Sequence, residues 1–443
     1  MRHAQKSLFR FIAGSAYRFV MKRSPMLGNI IRTLLNQIKK SRYNRSYPHA
    51  TDKKLMVFMS FQGRRFDDTP KAIYEYMKSR KKYDDFRFVW AFRNPEDHKV
   101  PDHDGRTTIV KWPSVAFLQA LSEAGYWISN NRVLPYVYPR DDQVYVQCWH
   151  GTPLKRLGHD LKETTNAIYS LKDLLHKYDM DAMKMKFFVS PSAYATEKFI
   201  SAFDLTGKGK EGAILEVGYP RNDRIVTATR EDRAAAFKNL GILEDSGKKV
   251  ILYAPTWRED QYGSTGYTYR LGLDFSKLLN ALGDDYIFIF RVHYFISNSF
   301  DFSSFGSRII NMSEHDDIND LYIASDMLIT DYSSVFFDYA NTDKPIIFYM
   351  YDLDEYQDKA RGFYINLDEL PGDIVMEERY LSEAIKRASN PDAYAAAYDE
   401  KYRAFKAKYT YLDDGRATER LVDRIFADDL PIVSATPYPV HKP

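Results

Sequence analysis

The sequence predicts an α/β fold of two doubly wound parallel sheets, preceded by an amphipathic helical segment. Three observations predict it. Two runs of short apolar strands alternate with helical stretches, a polar and charge-rich stretch at 223–247 divides the runs, and residues 1–51 carry eleven Lys/Arg with no Asp or Glu. Strand and helix alternating at this spacing are the pattern of a parallel sheet covered on both faces. A chain of 443 residues suits about two such domains. With 44% hydrophobic and 28% charged residues, a folded body is expected rather than disorder.

Residues 1–50 come first. Leu8, Phe11, Ile12, Phe19 and Val20 recur near helical spacing. Ser24-Pro25 reads as a cap and a first helical residue. Met26, Leu27, Ile30, Ile31, Leu34, Leu35 and Ile38 then form one stripe, flanked by Arg32, Lys39, Lys40 and Arg42. Such a basic amphipathic pattern suits a helix lying in the plane of an anionic membrane. A helix pair packed on the protein body is the competing reading. No stretch holds the ~20 uninterrupted apolar residues of a membrane span. Arg10, Arg18, Lys22 and Arg23 interrupt the apolar run that a signal peptide needs. The expected location is therefore peripheral, on the cytoplasmic face of the cell membrane. The rest of the chain is formally −8, and nucleic acid is not an expected partner.

Residues 51–225 read as the first doubly wound domain, with strands at Leu55–Met59, Phe86–Phe92, Thr107–Val110, Tyr126–Ser129, Val144–Cys148, Phe187–Ser190 and Ile214–Val217. Helices are expected at Lys71–Lys82 and Val115–Glu123. Residues 226–430 read as the second domain, with strands at Val250–Tyr253, Tyr286–Arg291, Arg308–Asn311, Met327–Thr330 and Pro345–Phe348. Its helices include Phe275–Leu282 and Ile318–Ala324, and Leu381–Ala388 and Ala417–Ile425 are expected to close it. Residues 431–443 hold four prolines and read as a loose tail. Two Rossmann-like halves facing a cleft make the GT-B architecture. The single cysteine, Cys148, excludes an internal disulfide and a multi-cysteine zinc site, and at the end of a buried strand it reads as packing. No Gly-x-Gly-x-x-Gly and no Walker loop occur, so neither a dinucleotide oxidoreductase nor a P-loop ATPase is supported.

Chemistry-bearing residues gather at strand ends. Val144–Cys148 runs into Trp149-His-Gly-Thr-Pro-Leu-Lys155, so His150 stands at the carboxyl end of a strand, where ligands bind in open α/β sheets. Pro153 suits the first turn of a following helix, whose N-terminus would favour an anion. In the second run, Met327–Thr330 leads into Asp331-Tyr-Ser-Ser334, with Ser333 and Ser334 expected at a helix start. Tyr253-Ala-Pro-Thr-Trp-Arg258 offers a hydroxyl on Thr256 and a forked donor on Arg258. In Arg291-Val-His293, alternation places Arg291 and His293 on one side of a strand end. Each segment alone also reads as capping, packing or a surface turn. No Asp-x-Asp pair or other motif calls for a metal.

Together these segments resemble the CDP-glycerol glycerophosphotransferases of teichoic-acid synthesis, the primases and polymerases of poly(glycerol phosphate) and poly(ribitol phosphate). The matching pieces are Trp149–Lys155 with Leu157-Gly158 and Asp160, Val217-Gly-Tyr-Pro-Arg-Asn-Asp223, Tyr253–Arg258, Arg291–His293 and Ile329–Ser334. They follow the family order over roughly 55–425. The family often has proline after the second histidine, where this chain has Tyr294. The resemblance implies a GT-B fold with the CDP-glycerol donor held by the second half. It assigns His150 as general base, with Asp160 also catalytic. Thr256, Arg258, Arg291, His293, Asp331, Ser333 and Ser334 would bind the donor. Gly151, Thr152, Lys155 and Arg221 would bind acceptor or phosphate.

The implied reaction passes glycerol phosphate to a hydroxyl of a membrane-lipid-linked polyol-phosphate or disaccharide acceptor and releases CMP, with no cofactor and no metal. Competing readings are a GT-B glycosyltransferase using a nucleotide-sugar, a CDP-ribitol-dependent ribitolphosphotransferase, and a silent membrane adaptor.

Overall fold

The computed structural model describes residues 25–47, 50–163, 170–242, 247–256, 262–263, 266–267, 272–292, 302–359 and 362–427. The first half is one seven-stranded sheet of β1 (Asp52–Met59), β2 (Arg87–Phe92), β3 (Thr107–Lys111), β4 (Ala124–Ser129), β5 (Val144–Gln147), β6 (Phe187–Ser190) and β7 (Ile214–Glu216). The strand order is 3-2-1-4-5-6-7, and every pairing is parallel. The second half is a parallel six-stranded sheet of order 12-11-8-13-14-15. Its strands are β8 (Lys249–Ala254), β11 (Tyr286–Phe290), β12 (Ile309–Asn311), β13 (Met327–Thr330), β14 (Ile346–Tyr349) and β15 (Asp373–Val375). β9 (Tyr262–Gly263) and β10 (Gly266–Tyr267) form a separate antiparallel pair. Both large sheets are apolar along the strand because helices cover both faces. Phe58 of β1, for example, sits opposite Trp90 of β2 and Ile128 of β4, all fully buried.

The expected strands are found within a residue or three of their limits, and β9, β10 and β15 are strands the sequence reading lacked. Asp373-Ile-Val375 is too short to show a period. In chain order the helices are α1 (Pro25–Ser46), α2 (Asp68–Lys78), α3 (Val115–Glu123), α4 (Leu171–Lys184), α5 (Ala193–Ala202), α6 (Asp223–Val226), α7 (Arg230–Leu240), α8 (Phe275–Leu282), α9 (Ile318–Ala324), α10 (Val335–Tyr339), α11 (Leu353–Lys359), α12 (Leu381–Ala388), α13 (Pro391–Tyr409) and α14 (Ala417–Ile425).

Two placements differ from expectation. α14 does not close the second half. Its apolar stripe, Leu421, Val422 and Ile425, joins the core of the first half with Phe58, Trp90 and Val146. The Phe426 ring lies 5.2 Å from Phe86 and 4.9 Å from Tyr126. The chain thus crosses back after building the second sheet, and no local signal marks that return. α1 bears on the packed-helix reading of the N-terminal segment. Its end docks on the first half, with Tyr43 buried and the Lys40 Nζ 4.0 Å from the Tyr138 ring centre. Leu34, Leu35 and Ile38 stay 58%, 45% and 64% exposed. Residues 1–24 lie outside the described residues. No described helix is long and apolar enough to cross a membrane.

Candidate active site

In each sheet the strand order reverses once, between β1 and β4 and between β8 and β13. A crevice forms at such a point, beyond the carboxyl ends of the strands. Each reversal is bridged by a side-chain oxygen. Asn130 Oδ1, after β4, accepts from the Phe61 backbone N at 2.8 Å. Asp331 Oδ1, after β13, accepts from the backbone N–H groups of Thr256 at 2.7 Å and Tyr332 at 2.6 Å.

His150 follows β5, beside the first reversal. The preceding Trp149 has φ +53°, a left-handed conformation costly for a bulky residue. Gln147 Oε1 holds it by accepting from the Trp149 N at 3.0 Å. The Trp149 ring is anchored against Phe199 and Phe203. This turn carries the next side chain out of the core. There His150 Nδ1 lies 2.9 Å from the Asn130 carbonyl. A carbonyl only accepts, so Nδ1 carries the hydrogen and Nε2 keeps its lone pair. Trp149 stacks on the imidazole at 4.6 Å, and Phe61 meets it edge-on at 6.3 Å. The residue is exposed at the open face of the cleft. The protein crowded around it still removes enough water to lower its pKa, against the opposing pull of the Asn130 carbonyl and Asp68. His150 is therefore neutral at pH 7, with a basic nitrogen available.

The Asp331–Ser334 segment of the second half meets this point. A Cβ on Gly151 would lie 2.7 Å from Ser334 Oγ. Ser334 heads α10 without capping it through its side chain, and Ser333 and Ser334 are both half-buried. Thr256 is tied to Asp331 as described. Arg291 follows β11 and its guanidinium donates to the carbonyls of His315 at 2.7 Å and Met312 at 3.3 Å. Burial, and then the nearby Arg65, lower its pKa to about 10, so it remains charged. Arg258 and His293 lie outside the described residues.

One expectation changes, the helix at Pro153, and the remaining site residues are placed as follows. Residues 151–157 do not start a helix at Pro153. Leu154 is instead buried in the core of the second half. The backbone of this segment pairs with 362–364 through Arg156 N to Gly362 O at 3.0 Å and Tyr364 N to Leu154 O at 2.9 Å. Burying Leu154 across the interface outweighs the helix that Pro153 would begin. The helix start that meets the His150 turn is therefore that of α10, headed by Ser334, and not one at Pro153. Lys155 packs its Nζ 4.9 Å from the Tyr356 ring centre, and Thr152 is buried. Asp160 is joined to the hydroxyls of Ser201 and Tyr364, and the partner of His150 is the Asn130 carbonyl. Asp160 thus ties the halves together. Arg221 is buried between Asp338 at 3.0 Å and Asp68 at 3.4 Å. Its charge is already matched by these two carboxylates, and the group holds the interface between the halves. Asn222 and Asn341 extend this network by donating to Asp413 at 2.7 and 2.9 Å. A cavity of about 320 Å³ opens beside it, lined by Asp68, Lys71, Arg221, Arg224 and Asp317. Those charges pair with one another or with Asp338.

Sequence reading missed Asn130, which fixes the His150 tautomer. Its signal was an Asn-Asn pair directly after a buried strand. Among the described residues one group, His159, Asp179 and Asp204, is spaced to hold a cation. Lys208 already sits on both carboxylates, at 2.8 and 2.7 Å.

A profile of the CDP-Glycerol:Poly(glycerophosphate) glycerophosphotransferase family matches residues 41–427. The teichoic acid poly(glycerol phosphate) polymerase of Staphylococcus epidermidis is 39% identical over 399 residues, covering 88% of this chain and 54% of the relative. That of Bacillus subtilis is 35% identical over 419 residues, covering 94% and 54%. The chain thus spans about half the length of these two relatives. The teichoic acid glycerol-phosphate transferase of Staphylococcus aureus is 34% identical over 377 residues, covering 85% of this chain and 93% of the relative. The solved structure of the wall teichoic acid polymerase TagF superposes with a TM-score of 0.80 at 38% identity, covering 91% of this chain and 96% of that one. It shares the two-sheet GT-B architecture. By profile, identity and fold, the chain belongs to the CDP-glycerol:poly(glycerophosphate) glycerophosphotransferase family.

Proposed function

We propose that this protein transfers glycerol phosphate from CDP-glycerol to a hydroxyl of a membrane-lipid-linked acceptor of the teichoic-acid type, releasing CMP. The observation that carries the reading is the approach of Ser334 to Gly151, the residue next to His150, between the two halves. A neutral base with Nε2 unspent stands opposite the hydroxyls of the half assigned to the donor. The acceptor hydroxyl gives its proton to His150 Nε2 as its oxygen bonds to the β-phosphorus. The bond from that phosphorus to the CMP oxygen breaks, and CMP leaves. A base of near-neutral pKa contributes ~10²–10⁴-fold to such a step. Arg291, Ser333 and Ser334, with Arg258 and His293, are the proposed donor ligands, and Gly151, Thr152 and Lys155 line the acceptor side. Fixed positive charge there stabilises the charge developing on the phosphoryl oxygens. No resident metal is part of this reading, and EDTA is expected to leave turnover unchanged.

The same reading places the protein at an anionic membrane surface through residues 1–50. The exposed Leu34, Leu35 and Ile38 beside Lys39 and Lys40 support it. Incubating the purified protein with CDP-glycerol and a lipid-linked acceptor tests the whole. Release of CMP with growth of the acceptor is expected. Turnover of CDP-ribitol or of a nucleotide-sugar in its place would overturn the donor assignment.

A further inference from the structure

The β1–α2 loop that sets Phe61 against His150 also carries Arg65, which no motif singled out. Arg65 reaches the other half of the molecule. Its Nη2 donates to the Ser313 carbonyl at 2.8 Å, and its Nη1 donates to the His315 carbonyl. Arg291 Nη1 donates to that same His315 carbonyl at 2.7 Å. Two guanidinium groups, one from each half, thus converge on a single oxygen at the carboxyl edge of the second sheet. Like charges this close repel. Among the described residues, no carboxylate lies within ion-pair distance of Arg291, and Arg65 has only Asp316, at 3.9 Å. Asp67 and Asp317 are the other acids beside Arg291, and Asp317 is already paired with Lys71 and Arg224. Burial and then Asp317 and Asp68 raise the pKa of Asp67, which lowers the charge it can set against Arg291. The Nε and Nη2 groups of Arg291 remain unspent on any described group. A planar fork of this kind matches phosphate oxygens.

We propose that Arg65 is a donor-phosphate ligand. With Arg291 it forms a clamp that holds a diphosphate between the two halves, an inference that rests on the CDP-glycerol reading for the identity of that diphosphate. The clamp is complete only when the halves meet, so the first half helps to hold the group that the second half binds.

Inorganic pyrophosphate is the probe, titrated calorimetrically into the full chain. Wild type should bind it, and Arg65→Gln should weaken binding at least ~10-fold, since the amide keeps a donor for the carbonyls but loses the charge. Arg65→Lys should fall between the two, because it keeps the charge without the fork. If Arg65→Gln does not fold, Arg65→Lys decides alone, and binding at least ~3-fold weaker than wild type is required. Unchanged pyrophosphate affinity with a lowered melting temperature would make Arg65 a strut for residues 313–315 and overturn the proposal. So would wild type failing to bind pyrophosphate. Arg65-dependent pyrophosphate binding without CMP release from CDP-glycerol would leave the clamp standing and remove only the donor's identity.

Discussion

Gly151 and Ser334 come from different halves of the molecule, yet a Cβ on the first would lie 2.7 Å from the Oγ of the second. The histidine turn and the Asp331–Ser334 turn therefore meet at one point. Gly151 is required there by space, since its backbone is not left-handed. Gly151→Ala should cost ~1–3 kcal/mol through overpacking. Ser334→Ala in the same chain should restore at least half of that, because the two changes share one contact. Thermal melts of the two single variants and the double variant check it. Additive losses would mean the residues do not touch.

His150→Ala should lower turnover by at least ~10²-fold while donor affinity is kept. The pH profile carries a sign. His150 acts as a neutral base, so the rate is full above its pKa and lost as pH falls through it. Because lost hydration holds that pKa below the ordinary histidine value, the acid limb should lie below that ordinary value. The same shift makes protonation favour unfolding, so stability should fall as pH drops below ~6.5. An acid limb at or above the ordinary value would contradict this environment.

Arg221→Ala should destabilise the fold by ~3–5 kcal/mol, since it leaves Asp338 and Asp68 buried without their partner. In the fraction that folds, affinity for CDP-glycerol should remain within about threefold of wild type. Denaturant melts beside calorimetry separate the two effects. A large loss of donor affinity with unchanged stability would return Arg221 to the substrate.

Asp331 accepts from two backbone N–H groups, those of Thr256 and Tyr332. Asp331→Asn keeps an oxygen in that place and Asp331→Ala does not. The alanine variant should lose ~2–4 kcal/mol, about 1–2 for each orphaned donor, and the asparagine variant under half as much. Equal losses would show that the charge matters and the accepting geometry does not.

Replacing Leu34, Leu35 and Ile38 together by serine should leave CDP-glycerol binding intact and reduce flotation with anionic vesicles. Their exposure makes the change nearly neutral for the fold. Flotation should also weaken with salt, because each basic residue near the surface contributes about 1 kcal/mol of screened attraction. Equal flotation by the triple variant would place the membrane contact elsewhere.

The sequence by itself determined what local pattern can carry. Alternating apolar runs set twelve of the strands, and the residues that end them put His150, Arg291 and Asp331 at the carboxyl edges where an α/β sheet binds ligands. Motif order set the family. Interactions between distant segments decided the rest. Leu154 entering the core of the second half suppressed the helix that Pro153 suggested. The stripe of α14 found its partner in the first sheet, hundreds of residues upstream. Asp338 and Asp68 drew Arg221 into a buried ion pair between the halves. The Asn130 carbonyl set the tautomer of His150, and the convergence of Arg65 with Arg291 on His315 joined two halves that share no local pattern. Each of these depends on burial or charge pairing across the chain. Their energies exist only once both partners have been brought together, so neither segment records them alone.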